Sequence, residues 1–401
     1  MMIQHYQLKR VIHMNLSEIM IKSNYYNMFI PSFLIKPGHL KISKNMLSGK
    51  LIIEQTNLDS AFFSLTDLYT KFYFIIGIIS RTMADSTERI LSIQSHVVSG
   101  YVGNKSATFP LQLLGFETDC INSVQFSNHT GYDKGVKGQR LNDVELWDLI
   151  DGLEANGLDN YSHIINGYIG KDTFLRKLAQ VIKKLKGRNP NLMYVCDPVM
   201  GDSEPVGWYV PKELLPIYRD EILPLCDICV PNQFEVEMLS GCQITDEKSA
   251  FNAIEKLHDM GVKVVVLSST DSNVNPDESK LKCLASRRVV KPMTTVVDET
   301  SSDSKFEYER YKIEFPKLPL PFVGSGDLFT ALLTAWLTRS GNNDWPHNMN
   351  IPLALEKTIA TMQAVLNRTL KHYELSTTNN GSKLQNGACA TTTRVPAMAH
   401  K

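Results

Sequence analysis

The stretch of this sequence best equipped for chemistry is Gly324-Ser325-Gly326-Asp327. It leads into Leu328-Phe329-x-x-Leu332-Leu333-x-x-Trp336-Leu337, whose apolar spacing predicts a helix. Two glycines let the backbone turn tightly and bring its N–H groups close to a ligand. At a helix start those N–H groups and the macrodipole favour an anion such as a phosphoryl group in transfer. Asp327 then falls in the first turn, as a base for an attacking hydroxyl or simply as the acid that caps the helix. The tetrapeptide alone leaves both open. It is neither a Walker A loop nor a dinucleotide fingerprint, since no Gly-Lys-Ser/Thr follows and the glycine spacing differs.

A second group of carboxylates lies upstream. Asp197 and Asp202 flank Pro198 and Gly201, so this piece reads as a turn after a strand. Two carboxylates in a short loop suit Mg²⁺, which takes one or two of them together with waters and phosphate oxygens; capping a surface loop is the plainer alternative. Asn232 and Glu235 follow the next strand, where an amide could meet a phosphate and the acid could reach metal-bound water, or serve as an ordinary first-turn acid. His96 and His129 have no Ser/Asp arrangement for a hydrolytic triad and no metal-ligand spacing, and read as pocket or core residues.

These residues need a scaffold, and residues 88–375 supply alternating apolar and amphipathic segments. Strands are expected at 89–95, 118–126, 163–169, 193–198, 228–231 and 263–269, and helices at about 141–156, 171–186, 211–223, 233–240 and 246–260, the last with Thr245 as cap. Gly100 to Asn104 reads as a flexible turn. Continuously apolar strands such as Val264-Val265-Val266-Leu267 alternating with helices indicate a largely parallel sheet in an α/β domain. Ligands bind such sheets at the carboxyl ends of the strands. Five strand ends are polar or Gly-rich: Gln94-Ser95-His96, Asn166-Gly167-Tyr168, Asp197 to Asp202, Pro231 to Glu235, and Ser268-Ser269-Thr270-Asp271. Together they predict one composite cleft.

In order and wording these segments resemble the pyridoxal kinase family of the ribokinase-like superfamily. The matching stretches are SIQSHVVSGYVGNKSATFPLQLLGF at 92–116, NSVQFSNHTGY at 122–132, YVCDPVMGD at 194–202, YVPKELLPIY at 209–218, PNQFEVEMLSG at 231–241 and FVGSGDLF at 322–329. The resemblance covers about residues 88–373. It implies a ribokinase-like α/β fold, with a central mostly parallel sheet flanked by helices on both faces, in a cytoplasmic homodimer. It implies ATP-dependent phosphorylation of the 5′-hydroxyl of pyridoxal, pyridoxine or pyridoxamine in vitamin B6 salvage, with Mg²⁺ or another divalent cation and K⁺ or Na⁺ as activator. By position, Asp327 would be the base and the backbone of Gly324, Ser325 and Gly326 the anion hole. Ser95 and Thr130 would hold the pyridine ring's polar groups, Val102 and Tyr168 would pack around it, and Tyr209 lies in a loop that would close over it. Asp197 and Asp202 would lie at the cation and phosphates, Asn232 and Glu235 near the triphosphate, and Ser268 and Ser269 on the nucleotide side. The family's animal members usually have Thr where Ser325 stands and often Thr where Val230 stands; Val230 and Ser268 mark a candidate monovalent-cation site. Other ribokinase-like kinases, acting on a hydroxymethyl-pyrimidine or a sugar, and a catalytically weak vitamin B6-binding protein are the alternatives.

The whole chain has the make-up of a globular protein that can bury a sizeable core. Of 401 residues, 43% are hydrophobic and 21% charged, with 42 basic against 42 acidic side chains. Residues 1–82 hold nine Lys/Arg against four Asp/Glu, leaving 33 against 38 for the rest. No basic stripe offers a nucleic-acid footprint. Seven scattered cysteines argue for a reducing compartment, and Cys226-x-x-Cys229 lacks the second pair a zinc site needs. The run Phe72 to Ile79 is far shorter than the roughly twenty residues of a membrane-spanning helix. Residues 1–82 therefore read as a disordered or mispredicted extension before a start at Met83, residues 83–375 as the kinase domain, and 376–401 as a disordered tail.

Overall fold

The computed structural model describes residues 14–15, 40–45, 50–55, 88–203, 206–270, 274, 277–290, 306–341 and 349–380. The chain divides into two compact units, Met1–Thr87 and Glu88–Lys401. In the first, Leu40–Asn45 pairs antiparallel with Lys50–Gln55, and Met14–Asn15 pairs with the start of the latter. Three short strands thus stand where no regular structure is expected. The Phe72–Ile79 run and Met83 lie outside the described residues.

The second unit is built on nine strands: β1 (Arg89–Val97), β2 (Glu117–Phe126), β3 (Gly138–Arg140), β4 (His163–Asn166), β5 (Met193–Cys196), β6 (Ile228–Cys229), β7 (Val264–Leu267), β8 (Lys280–Val290) and β9 (Phe306–Pro316). Their order across the sheet is β9-β8-β7-β6-β5-β4-β1-β2-β3. The contiguous pairs from β7 to β2 are parallel, and β8, β9 and β3 run antiparallel at the edges. Period-two alternation sends Leu91, Ile93, Val265 and Leu267 to one face and Ile90, Val264 and Val266 to the other. Both faces are therefore apolar and both must be covered. Helices α2 (Asp143–Ala155), α3 (Asp172–Arg188), α4 (Gln233–Ser240) and α5 (Glu247–Asp259) cover the first; α1 (Asn104–Leu113), α6 (Ser325–Ser340) and α7 (Ile351–Asn380) cover the second.

Local sequence explains the elements. In α3, Phe174, Leu175, Leu178, Val181, Ile182 and Leu185 form one buried stripe, each contributing about 1.5–3 kcal/mol by leaving water. Asp172 in its first turn and Lys186 and Arg188 in its last complement the helix dipole. Several expectations are corrected. The cap of α5 is Asp246, whose side chain accepts the Ser249 N–H at 2.7 Å, rather than Thr245. The expected helix at 211–223 is a short helix, Leu214–Ile217, followed by wider and tighter turns to Leu225. The turn at 100–104 opens directly into α1. The final helix α7 runs to Asn380, five residues into the segment expected as a tail; residues 381–401 lie outside the described residues.

Candidate active site

The carboxyl ends of β1, β2, β4, β5, β6 and β7 open into a cleft of about 640 Å³. Ser95, Val102, Thr130, Tyr168, Asp197, Asp202, Tyr209, Val230, Asn232, Glu235, Ser268 and the whole of Gly324–Asp327 line it. Ser269 is the one expected residue that does not; it is half-buried one position past the lining Ser268. Asp271 falls outside the described residues.

The backbone forces the geometry at Asp327. Gly324 takes φ +80°, and a side chain there would meet the Tyr101 carbonyl at 2.2 Å. Its own carbonyl accepts the Ser106 hydroxyl at 3.2 Å, so the turn before α6 is clamped onto the start of α1. Gly103, at φ +54°, leaves no room for a Cβ, which would lie 1.9 Å from the Ser95 carbonyl. The N–H of Gly103 donates to the Asp327 carboxylate. Burial still dominates over that bond and pushes Asp327 up to about 6. The Ser325 hydroxyl donates back to the Phe322 carbonyl at 3.0 Å.

Asp197 follows β5 and is only 6% exposed. Burial first, then the charges of Glu235 and Asp327, raise its carboxyl well above the usual range, while the Thr330 hydroxyl, donating to Oδ2 at 3.2 Å, opposes the rise. A side chain on Gly326 would stand 3.7 Å from that same Oδ2, which places Asp197 against the Gly-rich turn. Asp202 sits on a two-residue ribbon, Gly201–Asp202 paired with Gly207–Trp208, and its Oδ1 accepts the Ser203 N–H at 2.8 Å. Tyr209 follows this ribbon; burial, and then the Asp202 carboxylate, drive its phenol pKa upward.

Glu235 and Asn232 form a capping box at the start of α4. The Asn232 amide oxygen accepts the Glu235 N–H at 2.9 Å, and its amide nitrogen donates to the Gly201 carbonyl at 2.8 Å. The two oxygens of Glu235 accept the Met200 and Asn232 N–H groups, each at 2.9 Å. Glu235 is thus more than a first-turn acid: at 3% exposure it ties the β5 loop to the β6 loop. Its burial raises it to about 8 despite those bonds. His129 lines the cleft and accepts the Gly131 N–H on Nδ1 at 3.2 Å, whereas His96 does not line it. Cys226 and Cys229 are buried free thiols.

Sequence reasoning missed part of the lining. Val97, Val124 and Phe126 form an apolar wall with Val102 and Tyr168, and Trp208 meets Phe234 edge-on at 5.3 Å. Thr330 was also missed; it lies three residues past Asp327 on α6, and that helical spacing was the available signal. Among the described lining residues four are carboxylates and none is Lys or Arg. Among the described residues no three or more His, Cys, Asp or Glu side chains are grouped to hold a metal ion alone.

A doubly covered, mostly parallel sheet with a Gly-rich turn and an acid at the start of a helix is the architecture of a ribokinase-like small-molecule kinase. The phosphomethylpyrimidine kinase family matches residues 166–302. Pyridoxal kinase of Bos taurus is 45% identical over 285 residues, covering 71% of this chain and 86% of that one. Pyridoxal kinase of Arabidopsis thaliana is 44% identical over 297 residues, 74% and 87% of the two chains. The structure of pyridoxal kinase from Leishmania donovani in complex with ADP and pyridoxamine superposes with a TM-score of 0.59 at 33% identity, covering 70% of this chain and 89% of its own. The chain is an enzyme that belongs to the pyridoxal kinase family.

Proposed function

We propose that this enzyme transfers the γ-phosphoryl group of ATP to the 5′-hydroxyl of pyridoxal, and of pyridoxine and pyridoxamine, in vitamin B6 salvage. The observation that carries the reading is the placement of Asp327 beside the Gly324–Gly326 backbone in a cleft lined by an apolar wall and four carboxylates. Asp327 takes the hydroxyl proton as that oxygen attacks phosphorus and the bond to ADP breaks. The N–H groups at the start of α6 meet the charge on the transferring group. Ser95 and Thr130 hold the ring's polar groups, Val102 and Tyr168 pack against it, and Tyr209 closes over it. Asn232, Glu235, Ser268 and Ser269 belong to the nucleotide side.

The acidic lining fits a divalent cation. A nucleotide brought among four carboxylates, with no lysine or arginine among the described lining residues, needs its charge offset, and Mg²⁺ asks for only one or two protein carboxylates beside phosphate oxygens. Asp197 and Asp202 would hold it, and when bound it neutralises phosphate charge. K⁺ or Na⁺ would lie near Val230, through its carbonyl, and Ser268. The exposed Phe109 and Leu113, one turn apart on α1 at 64% and 69%, favour a homodimer. No described helix is long and apolar enough to cross a membrane; we read the enzyme as cytoplasmic, with no nucleic-acid or membrane partner. Residues 83–375 are proposed as the catalytic domain.

The test is a phosphorylation assay on purified protein with ATP and Mg²⁺, with and without K⁺. Pyridoxal should be phosphorylated and stimulated by K⁺. Preference for a hydroxymethyl-pyrimidine or ribose over pyridoxal would replace the substrate, and tight pyridoxal binding without ATP turnover would replace the activity.

A further inference from the structure

Thr330 spends its hydroxyl differently from four other threonines of α6 and α7. Thr334, Thr338, Thr361 and Thr369 each donate back to the carbonyl four residues earlier, at 2.7–3.0 Å. That is the ordinary use of a helical threonine, and it contributes little beyond the helix itself. Thr330 donates across the cleft to Asp197 Oδ2, joining α6 to the loop after β5. Both partners are buried, Thr330 at 2% exposure. The same helix carries Asp327 one turn earlier, so a single rigid element fixes the base and the orientation of the neighbouring carboxylate. With Oδ2 engaged by a hydroxyl donor, Oδ1 is left as the oxygen available to a cation.

We propose that Thr330 is a positioning residue that presets the Asp197 carboxylate for its cation. This rests on the reading that Asp197 lies at the divalent cation. A free carboxylate turns about its last torsion and must lose that freedom on binding the ion; one oriented by a buried hydroxyl has lost it already.

The experiment measures Mn²⁺ affinity of the protein–ADP complex by electron paramagnetic resonance, beside KM values for ATP and pyridoxal. Four variants are compared with wild type: Thr330→Val, Thr330→Ala, Thr330→Ser and Asp197→Asn. Thermal melts confirm folding. Thr330→Val should weaken Mn²⁺ by about tenfold, the equivalent of one charge-assisted hydrogen bond at its lower end, and leave the KM for pyridoxal within about twofold. Thr330→Ala carries the same expectation should valine crowd the site. Thr330→Ser should restore most of the lost affinity. Val and Ala variants with wild-type Mn²⁺ affinity would overturn the positioning role, as would a Ser variant as weak as Val, which would reduce Thr330 to packing. Unchanged Mn²⁺ binding in Asp197→Asn would remove Asp197 from the cation and the inference with it. A weakened Asp197→Asn beside normal Thr330 variants would sink the inference alone.

Discussion

Replacing Asp327 with Asn is expected to lower activity and raise stability, and the structure sets the size of each change. The side chains have nearly the same shape, and the amide oxygen can still accept the Gly103 N–H that now meets the carboxylate. What disappears is the proton acceptor. Loss of a general base reduces turnover by roughly 10²–10⁴, with the KM for pyridoxal little changed. The stability effect follows from burial, which raises the carboxyl from 3.8 to about 6. A folded-state pKa above the unfolded value gives stability that is fully present below about pH 4 and is lost as pH rises through 6. At pH 8 the wild type carries a penalty of at most about 3 kcal/mol, reduced by the partial exposure of Asp327, and asparagine avoids it. Without nucleotide, the variant should therefore unfold at higher urea than wild type at pH 8, and the gap should close near pH 4. Turnover within tenfold of wild type would remove Asp327 from the base role. A variant less stable than wild type at pH 8 would show that burial is not what raises this carboxyl.

Three further outcomes are expected. The kcat/KM for pyridoxal should fall below about pH 6, because Asp327 must be ionised to take a proton and burial raises it to about 6; a pH–rate profile flat to pH 4.5 would contradict this. Gly103→Ala forces a left-handed φ on alanine and drives its Cβ into the Ser95 carbonyl, so it should cost well over 1–3 kcal/mol of stability in a chemical melt. Glu235→Gln exchanges one acceptor facing a backbone N–H, at either Met200 or Asn232, for an amide donor, and should destabilise the fold by about 1–3 kcal/mol in a melt at pH 5, where burial keeps the glutamate uncharged and the substitution removes no buried charge.

The strand ends were readable because each combines an apolar run with a polar or Gly-rich finish, and those signals are local. Asp327 in the first turn of α6 and Asn232 before α4 were legible for that reason. Helix α1 was not: Pro110 lies inside it, and Asn104 at its start reads as a turn residue. In the structure the Asn104 amide donates to the Ile121 carbonyl at 3.0 Å and to Asn122 at 2.9 Å, so β2 holds it. The β8–β9 hairpin escaped because its strands are rich in Lys, Arg and Glu. Their pairing, Lys280 opposite Pro316 through Val290 opposite Phe306, is a long-range fact no window contains. The depth of Glu235 escaped as well, because a capping box looks the same in sequence whether its acid faces water or the floor of a cleft.

The order of the covering helices has a consequence for how the molecule comes into being. The face bearing Ile90, Ile165, Met193, Val195, Ile228 and Val264 is assembled from strands made early, yet α6 and α7, which cover most of it, come last in the chain. On a ribosome delivering residues from the amino end, that apolar face stays open to solvent until the chain beyond Ser325 emerges. Pairings between parallel strands are non-local and slow to form, and exposed sheet of this kind is where nascent chains aggregate or recruit chaperones. The helix that carries the catalytic acid is thus also one that closes the core, so the base reaches its place only as the fold is completed.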